Sequence, residues 1–240
     1  MKSTKFLLYV VSLTIIAIIS ACGVVPTATG LVPSSTNTTG KGVTDQGLSN
    51  PLSLTDNANY YHSSIGGSLK NGCEGWLSQL ETGESIFASR CDPKRLKELS
   101  LYADAAIGFN VNEVASRRII DSETYIMIDY EDEKTQALYG ITSNNAEAYL
   151  ILNAKKEYIF YRAVGTRDQL TQLGFLVDAL LAANDSVDPS LKITISGDQL
   201  NLAEDKSNGA QYLVGKTSED KTIALVVDRN GTFIGNRPQP

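Results

Sequence analysis

The segment TRDQLTQLGFLVDALLAAN, at residues 166–184, carries the strongest helical pattern of the chain. Thr166 and Gln169 have the spacing of a capping box, which satisfies two backbone amides at a helix start. Apolar residues then recur with the helical period at Leu170, Leu173, Val177, Leu180 and Leu181. We therefore predict one long helix over residues 166–184 whose apolar face is buried against a sheet.

Helices are also predicted upstream of this segment. Asp92 and Pro93 provide an N-cap acceptor and a proline in the first turn, which predicts a helix over residues 93–107. A shorter helix is expected over residues 113–120.

Strands are predicted from the alternation of apolar and polar residues. Such segments occur at 125–131, 149–152, 158–164, 191–196, 211–215 and 222–228. Asn230 and Gly231 predict a type I′ turn into a last strand at 232–234. The predicted class is therefore α+β, with an antiparallel sheet of about five to seven strands packed by the long helix, one or two N-terminal helices and one disulfide.

The N-terminus has the three-part layout of a secretory signal. Lys2 and Lys5 form a basic region, residues 6–20 are almost entirely apolar, and small residues follow. The apolar stretch is shorter than the roughly 20 residues that a membrane-spanning helix needs.

Ile19, Ser20, Ala21 and Cys22 follow this apolar stretch and resemble the lipobox of bacterial lipoproteins. The resemblance covers only residues 1–22. It implies cleavage after a signal peptide of residues 1–21, a diacylglycerol on the Cys22 thiol and a fatty acid such as palmitate on its amine. Two or more acyl chains hold a protein firmly in a membrane, so the implied location is the cell envelope, and the outer membrane if the host is Gram-negative. Ordinary signal cleavage, with Cys22 incidental, is the alternative.

The three cysteines fit this address. With Cys22 acylated, Cys73 and Cys91 remain and are predicted to form a disulfide, which in the chain-entropy model contributes about 3 kcal/mol. Residues 23–57 are rich in Ser, Thr, Gly, Asn and Pro, which is typical of a disordered tether. We therefore divide the mature chain into a tether at 22–57 and one extracytoplasmic domain at 58–240.

Charge excludes several partners. The formal net charge is -6, and it becomes -8 when Lys2 and Lys5 leave with the signal peptide. Such a surface repels nucleic acids and anionic lipid headgroups, so membrane attachment is expected through lipid alone. Gly215, Lys216 and Thr217 resemble the end of a phosphate loop, but the glycine spacing is wrong, and no nucleotide partner is expected.

Catalytic candidates are few. His62 is the only histidine, so no catalytic constellation, cofactor or metal site is predicted. Asp129, Glu131, Asp132 and Glu133 form an acidic cluster that could hydrolyse a glycan or bind calcium, although consecutive carboxylates usually form a solvated turn. Four tyrosines could form a stacking platform or serve as core residues: Tyr125, Tyr149, Tyr158 and Tyr161.

Two classes of function follow. The favoured one is a non-catalytic binding or scaffold module that contacts another envelope protein or polymer. The alternative is a carboxylate-dependent glycan hydrolase built on the acidic cluster.

Overall fold

One antiparallel sheet of 11 strands dominates the part of the chain that the structure describes. The computed structural model of the chain describes residues 61–69, 72–80, 85–120, 123–130 and 134–238. Each strand pairs with its neighbours in chain order, from β1 at one edge to β11 at the other. The strands are β1 (Tyr61–Ser68), β2 (Glu74–Leu80), β3 (Ser85–Cys91), β4 (Tyr125–Tyr130), β5 (Thr135–Ile141), β6 (Glu147–Leu152), β7 (Tyr158–Thr166), β8 (Gln199–Asp205), β9 (Gln211–Lys216), β10 (Thr222–Val227) and β11 (Phe233–Pro238).

The predicted sheet of about five to seven strands is therefore wrong. The strands β1, β2, β3 and β5 were missed, because their residues do not alternate cleanly between apolar and polar. The strand β8 was also missed, although Leu200 and Leu202 alternate with Gln199 and Asn201. The strand predicted at 191–196 is also absent from the described fold, where Ile193 forms only an isolated bridge with Thr217. The hairpin of β10 and β11 is confirmed, but only Gly231 has a positive φ, whereas a type I′ turn requires one at Asn230 as well.

The prediction of one long helix over residues 166–184 is also wrong, because two short helices occupy its place. The described residues form four α-helices: α1 (Pro93–Glu98), α2 (Ala103–Asn112), α3 (Arg167–Gln172) and α4 (Val177–Ser186). Gly174 has a φ of +82°, and this left-handed residue ends the first helical run. Ser100, at +63°, breaks the predicted 93–107 helix in the same way. The predicted 113–120 helix is reduced to the 3-10 turn Ala115–Arg117.

The starts of α1 and α3 were predicted correctly. Asp92 accepts a hydrogen bond from the Arg95 amide at 3.1 Å. Thr166 and Gln169 form both bonds of the capping box.

An internal duplication relates two parts of the chain. Repeat 1 (residues 92–159) and repeat 2 (residues 166–234) each contain two helices, one 3-10 turn, three strands and the start of a fourth strand, in the same order. Equivalent residues are 74 positions apart in the helical part and 75 apart in the strands. Identical pairs include Leu96 and Leu170, Leu99 and Leu173, Asn110 and Asn184, Ile119 and Ile193, Gln136 and Gln211, Gly140 and Gly215, and Thr142 and Thr217.

Buried asparagines make the same contacts in both repeats. Asn110 donates to the Ile119 carbonyl at 3.1 Å and accepts from the Ile119 amide at 2.7 Å. Asn184 makes the same pair of bonds with Ile193, at 3.0 and 2.8 Å. Each asparagine thus fixes the segment that leads from the 3-10 turn into the sheet, because a buried amide needs these partners.

Glutamine contacts and backbone angles repeat as well. Gln136 accepts a hydrogen bond from the Tyr102 amide at 2.7 Å, and Gln211 accepts one from the Leu176 amide at 2.6 Å. Left-handed residues also coincide at Ser100 and Gly174, Lys134 and Gly209, Asn145 and Asp220, and Lys156 and Gly231. The two repeats therefore share one fold down to single turns.

The core has two parts, one on each face of the sheet. The larger cluster includes residues from all four helices, such as Leu96, Leu170 and Leu180, so every helix packs on the same face. The other cluster contains no helical residue. Its members Ile128 and Phe160 are nonetheless buried. Both faces of the sheet therefore contribute buried residues to the core.

The predicted signal peptide, Cys22 and the tether at 22–57 lie outside the described residues. Of the helices that are described, none combines the length and the apolar character needed to cross a membrane.

Candidate interaction surface

The disulfide between Cys73 and Cys91 is confirmed. It joins the start of β2 to the end of β3, with the two Cα atoms 5.1 Å apart. Both cysteines are buried in the core on the helical face. The bond therefore stabilises one edge of the sheet and offers no exposed thiol.

The acidic cluster is only partly described. Asp129 lies in β4 with a half-buried side chain, whereas Glu131, Asp132 and Glu133 fall outside the described residues. The backbone of His62 lies in β1. The ranges that are described contain no group of three His, Cys, Asp or Glu side chains placed to hold a metal ion. The glycan-hydrolase alternative therefore stays a prediction.

The four tyrosines do not form a common platform. Tyr149 lies in the cluster of the helix-free face, and Tyr161 lies in the cluster on the helical face. Their exposed fractions are 4% and 0%. The tyrosines serve as core residues, which is the reading that their strand positions also allow.

The most conspicuous buried charges join the two repeats. Arg117 of repeat 1 donates to Glu204 of repeat 2, with Nη2 and Oε2 2.9 Å apart and both side chains largely buried. Arg117 also donates through Nε to the carbonyl of Leu173. Lys206 lies 3.5 Å from Glu204 and 3.2 Å from Glu113, so two cations face two carboxylates. The network is balanced in charge, and we assign it a structural role.

The pKa of Glu204 reflects this pairing. Burial alone would raise the pKa of this carboxyl group. The hydrogen bond from Arg117, and the charges of Arg117 and Lys206, outweigh that effect and hold the pKa below its usual value. Glu204 is therefore ionised at neutral pH, as a partner of Arg117 rather than as a proton donor.

Three exposed aliphatic residues lie in the helical part of repeat 1, around the point where α2 leads into the 3-10 turn. We call Val111, Val114 and Ile120 the repeat 1 surface; their exposed fractions are 57%, 62% and 61%. Single exposed aliphatic residues are ordinary in soluble proteins, so exposure alone decides nothing. The duplication supplies a reference within the same chain.

Polar residues occupy the equivalent positions of repeat 2. Val111, Val114 and Ile120 correspond to Asp185, Asp188 and Thr194. The fold therefore does not require apolar residues at these positions. A group of exposed aliphatic side chains that the fold does not need is typical of a binding surface.

A basic residue close to these positions has a different partner in each repeat. Lys192 of repeat 2 forms an ion pair with Asp185, with Nζ and Oδ1 2.7 Å apart. Its equivalent, Arg118, donates through Nε to the Glu113 carbonyl at 2.8 Å. Repeat 1 thus keeps the cation but has Val111 where its carboxylate would lie.

These positions surround a groove in repeat 2. Asp185, Lys192 and Thr194 line a cleft of about 460 Å³ between α4 and the turn after β9. Buried Asn184 and Ile193 form its floor, and they are the residues that match Asn110 and Ile119 of repeat 1. The matching backbone contacts place Val111, Arg118 and Ile120 around the equivalent position in repeat 1.

Another exposed apolar pair is explained by the fold. Phe233 and Ile234 of the edge strand β11 are 39% and 57% exposed. Their equivalents in β7, Tyr158 and Ile159, are also largely apolar and pack against the core. The fold therefore uses apolar residues at this strand position in both repeats, and the β11 pair is exposed because β11 is an edge strand. The repeat 1 surface differs, because its equivalents in repeat 2 are polar.

Sequence reasoning missed the repeat 1 surface, because Val114 and Ile120 fell within a predicted helix. Comparison of the chain with itself at an offset of 74 residues would have revealed it. No family model, no curated protein and no solved structure matches this chain.

Proposed function

We propose that this protein is a lipid-anchored, non-catalytic binding module of the bacterial cell envelope, and that the repeat 1 surface contacts its partner. The lipobox-like residues around Cys22 support the anchor. The expected partner is another envelope protein or polymer.

The observation that carries the binding role is the difference between the two repeats. Val111 and Ile120 are exposed in repeat 1, whereas Asp185 and Thr194 occupy the same places in repeat 2. Exposed aliphatic residues favour association and aggregation, so we infer that a partner covers them in the cell.

Native mass spectrometry of the protein extracted from membranes in detergent tests both halves of the proposal. We expect a chain that begins at Cys22 with added acyl mass and a bound partner. The double substitution Val111→Asp and Ile120→Thr, which copies repeat 2, should release the partner and leave the acyl mass in place. The matched control, Asp185→Ala with Thr194→Ala, should keep the partner bound.

An unmodified chain in the soluble fraction would contradict the anchor. A complex that survives the double substitution would contradict the binding role of the repeat 1 surface.

A further inference from the structure

We propose that the partner segment bound at the repeat 1 surface belongs to a protein and presents a carboxylate to Arg118 beside aliphatic side chains. This inference rests on the proposed function and specifies the chemistry of the partner. It combines three features: the exposed aliphatic residues, the arginine beside them and the ion pair at the same place in repeat 2.

Arg118 supplies the charge argument. Among the described residues, no carboxylate forms an ion pair with Arg118, whose Nε donates to the Glu113 carbonyl at 2.8 Å. The Arg118 side chain is exposed, so a partner can approach its terminal guanidinium nitrogens. A guanidinium binds a carboxylate through two parallel hydrogen bonds, which makes this the preferred partner group.

Repeat 2 shows where such a carboxylate fits. Asp185 of α4 and Lys192 both line the cleft, and their Oδ1 and Nζ atoms are 2.7 Å apart. In repeat 1, Val111 stands at the position of Asp185 and Arg118 at that of Lys192. A carboxylate from a partner would replace the missing acid, while its aliphatic neighbours cover Val111 and Ile120.

A protein segment fits these features better than a membrane does. An anionic bilayer is an extended surface that responds to the total charge of the domain, and the mature chain carries a net charge of -8. A protein segment brings one carboxylate to one arginine at short range, where total charge matters less. The surface also lacks the aromatic and lysine-rich composition that is typical of membrane-binding faces.

Selection of peptides from a random display library against the mature lipidated protein in detergent tests the proposal. We expect the selected sequences to share an acidic residue next to aliphatic ones. A selected peptide should bind the Arg118→Ala protein about tenfold more weakly, the factor that a lost charge-assisted hydrogen bond produces. Val111→Asp should weaken binding at least as much, because the new carboxylate occupies Arg118 from within the chain. Lys192→Ala in repeat 2 is the matched control and should leave the affinity unchanged.

A charge swap provides the second variant. Arg118→Glu should lose the selected peptide and bind a version in which its acid is replaced by lysine. Peptides without an acidic residue, or affinities that do not respond to Arg118→Ala, would overturn the proposal. So would Val111-dependent binding to phosphatidylglycerol vesicles, or Val111-dependent self-association of the protein. Val111→Asp with Ile120→Thr could release the native partner while Arg118 variants leave peptide binding unchanged. That result would support the repeat 1 surface as a binding site and would contradict a carboxylate in its partner.

Discussion

Glu204 joins the two repeats, because it accepts hydrogen bonds from Arg117 of repeat 1 and Gln211 of repeat 2. The distances are 2.9 and 3.0 Å. Arg117 and Glu204 are 87 residues apart in the chain, and no periodicity or motif pairs them. Such a contact depends on how the repeats stack on the sheet, so single-sequence patterns do not predict it.

Stability should fall at acidic pH through this carboxylate. The folded-state pKa of Glu204 lies below its ordinary value of 4.5. Its contribution is therefore fully present above about pH 4.5 and is lost as the pH falls through the lower folded-state pKa. Glu204→Gln should lower the free energy of unfolding by about 3 kcal/mol at pH 7, because it leaves the buried Arg117 without a counterion. The difference from wild type should shrink below pH 4.5, as measured by urea unfolding at several pH values.

Glu219→Gln serves as the control. Glu219 pairs with Lys221 in an exposed position, where solvent screens the interaction, so this variant should unfold nearly as wild type does. A constant difference between wild type and Glu204→Gln from pH 7 to pH 3 would contradict the role assigned to the Glu204 charge.

The ends of the helices are set by the backbone conformation of single residues. The helical period of the apolar residues over 166–184 predicted one helix. Leu173 and Phe175, which flank the break, both lie in the core, so the apolar pattern does not reveal the break. Gly174 between them adopts a φ of +82° and separates α3 from α4. The helix starts were predictable from Asp92, Pro93, Thr166 and Gln169, since capping is local. The break was not, because glycine is also tolerated inside helices.

Two glycine substitutions should therefore have opposite effects. Gly174→Ala places a Cβ on a left-handed residue, which costs about 1–2 kcal/mol. Gly108→Ala lies inside α2 with nothing within 4 Å of the new Cβ, so it should stabilise the protein by about 0.5–1 kcal/mol. Urea unfolding midpoints at constant slope would measure both. Equal shifts of the same sign would show that α3 and α4 do not need the left-handed residue.

The internal duplication organises the whole molecule. Each repeat lays its helices on the same face of one continuous sheet, and the strands of repeat 2 extend those of repeat 1. The repeats were not detected from the sequence for a physical reason. Identity between the repeats is concentrated at buried or turn positions such as Asn110 and Gln136, which are spread thinly along the chain.

Differences between the repeats carry the functional information. Residues that are identical in the two repeats, such as Ile119 and Ile193, stabilise the common fold. Residues that differ, such as Val111 and Asp185, give each repeat its own surface. The sequence alone predicted the disulfide and the starts of α1 and α3, because these depend on cysteine counting and short motifs. The repeat 1 surface could be recognised only with the equivalent positions of repeat 2 beside it.

Thiol labelling in intact cells tests most directly whether a partner covers the repeat 1 surface. Val111→Cys adds a free thiol to a chain whose other cysteines are in the disulfide or, as proposed, acylated. We expect a membrane-permeable maleimide to label this thiol much more slowly in cells than in the purified protein. Asp185→Cys, the matched position of repeat 2, should be labelled at the same rate in both. Equal rates for Val111→Cys in cells and in isolation would contradict a bound partner at this surface.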